Sequence, residues 1–262
     1  MLRNISLALG EKTIFNHHEN IPSSFRMACC GPSGCGKSTL ILQMLITPGF
    51  LDYNSLTIYT TTPKQDIYQF IYHGFINGLS KKVLSSMMIN QKQFIGIPIP
   101  VLMKKMAELT TATSDAISIT LSEKMDELVP PSQMEKGKKH LIIFDDAISL
   151  ISQSTIETYF VKGRHHDINC IYISQSYFDL TRLIRLNTNF IILFKLNPRN
   201  LIDIYNSTLS SSMDKKTFLS ITQNAFSKKY HYIAINKDTD TIITDVFEDQ
   251  HSDSDWNTTL WQ

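Results

Sequence analysis

The sequence predicts an α/β fold with a mainly parallel sheet and helices on both of its faces. Three observations predict it. Short apolar runs alternate along the chain with segments of helical period. A glycine-rich loop, Gly31 to Thr39 (GPSGCGKST), joins the first of those runs to a helical stretch. A later run, LIIFDD (Leu141 to Asp146), is continuously apolar and closed by two acids, as in a strand buried on both faces.

In chain order, FRMACC (Phe25 to Cys30) reads as a buried strand, and STLILQMLI (Ser38 to Ile46) as the helix after the loop, stopped by Thr47, Pro48 and Gly49. SLTIYTTTP (Ser55 to Pro63) is rich in β-branched residues and reads as a second strand, followed by a helix over Asp66 to Leu79. From about residue 80 to 139 the pattern loosens into an insertion expected to be mainly helical. Its amphipathic segments lie near Val101 to Leu109 and Ser114 to Leu128, and Pro130 and Pro131 end the second. The stretch Ser149 to His166 contains a helix that ends near Gly163. Strands follow at Asn169 to Gln175 and Asn189 to Asn197, then helices at LIDIYNSTL and at Lys215 to Phe226. The last ordered element reads as a β-hairpin turning around Asn236 to Asp240. Residues 1–248 are expected to form one domain, and 249–262 an acidic tail.

The whole-chain quantities bound the function. The 262 residues are 42% hydrophobic and 19% charged, which suits a packed core. A net charge of +1 excludes a broad basic face for nucleic acid, so any such contact is local. Cys29, Cys30, Cys35 and Cys170 lack paired zinc spacing and read as reduced, mostly apolar core thiols. No stretch reaches the ~18 to 20 apolar residues of a membrane span. The expectation is a soluble, non-secreted protein without membrane contact.

Chemistry concentrates in two motifs. In the loop, Gly31, Gly34 and Gly36 permit tight turns and close approach, with Pro32, Ser33 and Cys35 completing the cradle. Its N–H groups and the positive end of the next helix bind phosphate. Lys37 brings a point charge to the β- and γ-phosphates, the Ser38 hydroxyl is a Mg²⁺ ligand, and Thr39 closes the loop. ATP and Mg²⁺ are therefore the expected cofactors. Asp145, at the end of the apolar run, would hold Mg²⁺ through water, and Asp146 would polarise the attacking water. The bland alternative for this acid pair is a helix N-cap.

The stretch FVKGRHHDINCIYISQSYFDLTRLIRLNTNFIILF adds a third block. Through Gly163-Arg164-His165, Ser174-Gln175-Ser176 and Arg185-Leu186-Asn187, it resembles the FtsK/HerA superfamily of P-loop, RecA-like DNA-translocating ATPases. GRHxxxxxIYISQSYFDL, the Asp-Asp pair, and the TIYTTTP strand with Tyr68 shortly after resemble its viral genome-packaging branch, the poxvirus, virophage and Polinton type. The resemblance covers about residues 25–205. It implies a homo-oligomeric ring, hexamer or pentamer, that moves double-stranded DNA without reading sequence. It also implies Gln175 beside the γ-phosphate, and Arg164, or second Arg185, as an arginine finger supplied to a neighbour. Arg164 could equally close a helix C-terminus. The site of action implied is the cytoplasmic or nuclear place of virus assembly, or the virion. Asp-Asp and Gln-Ser-Tyr replace the Asp-Glu and Gln-Arg-Pro of bacterial FtsK-type motors. No winged-helix domain is expected, which disfavours chromosome segregation.

Lys104 and Lys105, and Lys136, Lys138 and Lys139, are candidate DNA contacts or simply solvated loop residues. Trp256 and Trp261 among Asp253 and Asp255 suggest either a docking peptide for a capsid or portal protein or a tail folded back on the core. A small-molecule kinase and a ring helicase are the competing readings. The first would usually add an arginine-rich lid, for which no segment is apparent. A GTPase is rejected because Asn236-Lys237-Asp238-Thr239 fails the guanine motif at its last position, and an ABC-type ATPase because the Leu-Ser-Gly-Gly signature is missing.

Overall fold

Successive residues of a strand point to opposite sides of its sheet, so a strand that is apolar throughout must be covered on both faces. The computed structural model describes residues 13–89, 117–124, 127–147 and 153–244, with positions 101, 104, 106 and 108. Its elements are β1 (Arg26–Cys30), α1 (Lys37–Ile46), β2 (Ser55–Thr60), α2 (Asp66–Ile76), α3 (Lys81–Ile89), β3 (Ser118–Ser122) and β4 (His140–Asp145). These are followed by α4 (Gln153–Lys162), β5 (Ile168–Ser174), α5 (Arg182–Asn187), β6 (Phe190–Phe194), α6 (Pro198–Thr208), α7 (Lys215–Ala225), β7 (Tyr232–Asn236) and β8 (Thr241–Ile243).

The strands form one sheet in the order β3-β2-β4-β5-β1-β6-β7-β8. All pairings from β3 to β6 are parallel. β7 joins β6 antiparallel and closes the sheet with the β7–β8 hairpin at the expected turn. Alternation along the strands builds two cores. Met27, Cys29, Ile58, Ile143, Ile171 and Phe190 face the layer of α1, α2 and α3. Ala28, Cys30, Phe144, Tyr172, Leu193 and Ile233 face α4, α6 and α7. Cys29, Cys30 and Cys170 are buried free thiols inside these layers, and burial raises the pKa of each.

The insertion departs from expectation. α3 and positions 101, 104, 106 and 108 are helical, but Ser118–Ser122, within the amphipathic stretch 114–128, is a strand. Ile117, Ile119 and Leu121 recur every second residue and lean on the α1–α3 layer, while Ser118 and Thr120 face out. Pairing with β2 satisfies the backbone of SITLS, and that tertiary gain overrides the weak helical period. The helix expected within Ser149 to His166 is observed at Gln153–Lys162. Gly163 is not a left-handed cap. An added Cβ there would lie 3.3 Å from Ile168 Cβ and from the Ile168 carbonyl oxygen, so glycine permits close approach to β5.

His17 ties the segment before β1 to this frame. Its ring stacks on Phe15, Nδ1 accepts from the Asp52 backbone N–H at 2.9 Å, and Nε2 lies 3.1 Å from the Asn169 amide nitrogen. Burial lowers its pKa from 6.5 to about 4. The unfolded chain therefore takes up this proton first as pH falls. The contribution to stability is whole above pH 6.5 and is lost as pH falls toward 4. For this partly exposed ring the loss is about 2 kcal/mol. Thermal melts across that window should show His17→Gln flattening the wild-type decline. Parallel profiles would reject the assignment.

Candidate active site

β1 delivers the chain to Gly31, and the loop reverses it into α1. The Gly31 N–H donates to the Ser174 carbonyl at 3.2 Å, which anchors the loop to the end of β5. A Cβ on Gly31 would stand 2.7 Å from both Cys35 Sγ and Phe194 Cβ, so no larger residue fits. Gly34 (φ 73°) and Gly36 (φ 106°) are left-handed, a conformation other residues adopt at a cost. α1 starts with no side-chain cap and no acid in its first turn, whereas α5, α6 and α7 are capped by Thr181, Asn197 and Asp214. Its first N–H groups and its dipole therefore remain available to an anion. Lys37 Nζ donates to the carbonyls of Gly31 (2.6 Å) and Pro32 (2.9 Å), which keeps the ammonium over the loop.

The loop opens onto a cavity of about 340 Å³ at the carboxyl edge of the parallel strands. Ser33, Gly34, Gly36, Lys37, Ser38 and Thr39 line one side, and Asp145, Asp146, Ser174 and Gln175 the other. Gly31, Pro32 and Cys35 shape the loop without lining the cavity. Asp145 is the last residue of β4 and is 8% exposed, and burial raises its carboxyl pKa against the opposing donation from Tyr68. Asp146 is exposed and left-handed (φ 50°), held by its N–H donating to the Ile173 carbonyl at 3.2 Å. Ends of β1, β4 and β5 are thus tied together around the cavity.

The connection from β2 to α2 also reaches the site. Thr62 and Gln65 line the cavity, and the Gln65 amide donates to the Thr62 hydroxyl at 2.7 Å. Tyr68, 6% exposed, donates its hydroxyl to Asp145 Oδ2, and the Ser38 and Thr60 side chains neighbour the same phenol. Burial, then the Asp145 charge, raises the phenol pKa well above its ordinary value. Thr62 and Gln65 have no sequence signal as site residues beyond following a strand whose carboxyl end borders the loop.

No protein-family model matches the chain, and no curated protein does. Solved structures do. The genome packaging NTPase B204 from Sulfolobus turreted icosahedral virus 2, in complex with ATP-gammaS, superposes with a TM-score of 0.50 at 14% identity, over 84% of this chain and 95% of B204. The same NTPase with AMPPCP gives 0.49 at 15% identity over 84% and 96%. VirB4 of Thermoanaerobacter pseudethanolicus gives 0.45 at 10% identity over 83% and 88%. What the chain shares with B204 is the fold. The α/β P-loop architecture expected from sequence is the one observed.

Neither expected arginine lines the cavity of its own chain. Arg164 is exposed on the short 3₁₀ turn Gly163–His165, at the amino end of β5. There it borders a second cavity of about 860 Å³ with Arg26, Ser24 and Asn189. The seven residues of β5 put about 20 Å between it and Gln175. A residue just before a parallel strand lies on the edge opposite the residue just after it, which is the signal that locates it. Arg185 Nη1 donates to the carbonyls of Phe178 (3.1 Å) and Leu180 (2.6 Å), and the guanidinium sits over the Phe178 ring. It braces the turn after Gln175.

The lysine candidates separate too. Lys139 is ion-paired with Asp52 and only partly exposed, so the structure removes it from the free cations. Lys138 pairs with Glu135 at 2.7 Å, while Lys104 and Lys136 are exposed. Lys105 and the tail with Trp256 and Trp261 lie outside the described residues. No helix among the described residues is long and apolar enough to cross a membrane.

The residues at the cavity suit a nucleotide with Mg²⁺. Ser38 and Asp145 line the same cavity, so two hard oxygen donors stand together beside a phosphate-sized cradle, the donor type Mg²⁺ prefers.

Proposed function

We propose that this protein is an ATPase that drives double-stranded DNA into a preformed viral capsid, acting as a homo-oligomeric ring, hexamer or pentamer. The observation that carries the ATPase reading is the convergence of the phosphate loop, Asp145, Asp146 and Gln175 on one cavity at the carboxyl edge of the sheet. The likeness in fold to B204, over most of both chains, together with the Arg164 and Gln175 block, supports packaging over other uses of the loop. In this reading residues 1–248 form the ATPase domain. The acidic tail 249–262 is a candidate docking peptide for a capsid or portal protein, and the protein acts where virions assemble.

Each residue then has a task. Loop N–H groups and the start of α1 bind the phosphates, and Lys37 turns from its carbonyl partners to the β- and γ-oxygens. Ser38 and Asp145 hold Mg²⁺, which when bound neutralises charge on the phosphoryl oxygens. Asp146 accepts a proton from the attacking water, and Gln175 orients that water. Arg164, about 20 Å from its own cavity, is suited to serve a neighbour, and its permanent planar charge suits the transferring phosphoryl group. DNA would be gripped through its backbone by a few cations per subunit, Lys104 and Lys136 first.

Steady-state ATP hydrolysis, with and without linear duplex DNA over a range of protein concentrations, tests the proposal. Turnover should rise steeply with protein concentration and further with DNA. Turnover linear in protein, indifferent to DNA and stimulated by a small phosphoryl acceptor would identify a kinase. Strand separation would identify a helicase. Arg164→Ala should be inactive alone and regain turnover when mixed with Lys37→Ala, at roughly a quarter of junctions in an equal random ring. Absence of any recovery would exclude a finger acting between subunits from this position.

A further inference from the structure

The Tyr68 phenol stands where the two expected Mg²⁺ ligands meet, yet nothing in the reaction so far uses it. It enters from the first turn of α2, on the far side of the β2 connection from the phosphate loop. Its hydroxyl donates to Asp145 Oδ2, across 77 positions of sequence. The side chains of Ser38, at the start of α1, and Thr60, at the end of β2, stand close enough to the same hydroxyl to influence it. A phenol has one proton to give and two lone pairs to offer, so with its proton on Asp145 this oxygen can still accept from a neighbouring hydroxyl.

We propose that Tyr68 is a positioning residue for the metal site, an inference that rests on the ATPase reading. A serine hydroxyl that gives its lone pair to a cation needs an acceptor for its own proton. Tyr68 is that acceptor for Ser38, and it passes a hydrogen bond on to Asp145. The relay aims the Ser38 proton away from the cavity and occupies Oδ2 of Asp145, which leaves Oδ1 to hold the hydrated ion. Outer partners of this kind set the orientation of metal ligands, and their loss typically weakens metal binding 10- to 100-fold. Burial at 6% exposure fixes the phenol in one place, so the spacing between Ser38 and Asp145 is built into the packing of α2.

The test compares binding of a fluorescent ATP analogue with Mg²⁺ and with EDTA, in full-length wild type, Tyr68→Phe and Thr60→Val. The ratio of the two affinities reports the coupling between metal and nucleotide without turnover. Tyr68→Phe should lower that ratio about 10- to 100-fold while its affinity in EDTA stays within about threefold. Thr60→Val removes a neighbour of the same phenol and two bonds to Thr62, but no bond to a metal ligand, and its ratio should match wild type. A folded Tyr68→Phe with the wild-type ratio overturns the proposal. Equal losses in Thr60→Val and Tyr68→Phe also overturn it, because they mark a general packing effect. Should Tyr68→Phe fail to fold, Tyr68→Gln keeps a donor for Asp145 and should show an intermediate loss, and a wild-type ratio in it is equally fatal. If wild type itself binds the analogue with no Mg²⁺ dependence, the nucleotide-site reading fails before Tyr68 is at issue.

Discussion

Lys37→Ala should reduce ATP hydrolysis by at least about 10²- to 10³-fold, the loss typical of removing one donor aimed at charge that develops in the transition state. Among the described residues Lys37 is the one cation lining the cavity, and its ammonium is already over the loop through the Gly31 and Pro32 carbonyls. Those two bonds are partly solvent-exposed, so their loss costs about 1 kcal/mol and leaves the fold intact. A melting temperature near wild type would separate lost chemistry from lost structure. Full activity in a folded variant would refute the site.

Asp146→Asn should bind Mg²⁺ and ATP normally and turn over about 10² to 10⁴ times more slowly, because an amide cannot take the proton of the attacking water. The choice of asparagine is dictated by the backbone. Asp146 is left-handed, and asparagine tolerates that conformation where alanine would add strain. The side chain is exposed at the cavity, so the exchange leaves no buried group unpaired. Single-turnover hydrolysis alongside equilibrium nucleotide binding checks both halves. Normal turnover would remove Asp146 as the catalytic carboxylate, and loss of binding would move it to the metal.

The phosphate loop was legible because its parts are contiguous: the glycines, Lys37 and Ser38 act within nine residues, and local backbone geometry does the rest. Asp145 and Asp146 were legible because a run buried on both faces announces itself, and acids at its end can only emerge at the sheet's carboxyl edge. Gln175 carried no such signal of its own and was read through a resemblance. Strand β3 was hidden because SITLS is short and its apolar alternation covers one face. Its partner β2 lies more than fifty residues upstream, and it is the pairing that makes it a strand.

The chain's local patterns thus decided which residues could bind phosphate and a divalent ion, since those depend on backbone turns and on burial of single strands. The assembly of the site was decided by tertiary contacts that no local pattern contains. Tyr68 joins Ser38, Thr60 and Asp145 because α2 packs beside α1 over the sheet. Lys139 is withdrawn from the free cations because β4 begins beside Asp52. Arg164 and Gln175, eleven positions apart in FVKGRHHDINCIYISQ, stand at opposite ends of β5 because a rigid strand of seven residues runs between them.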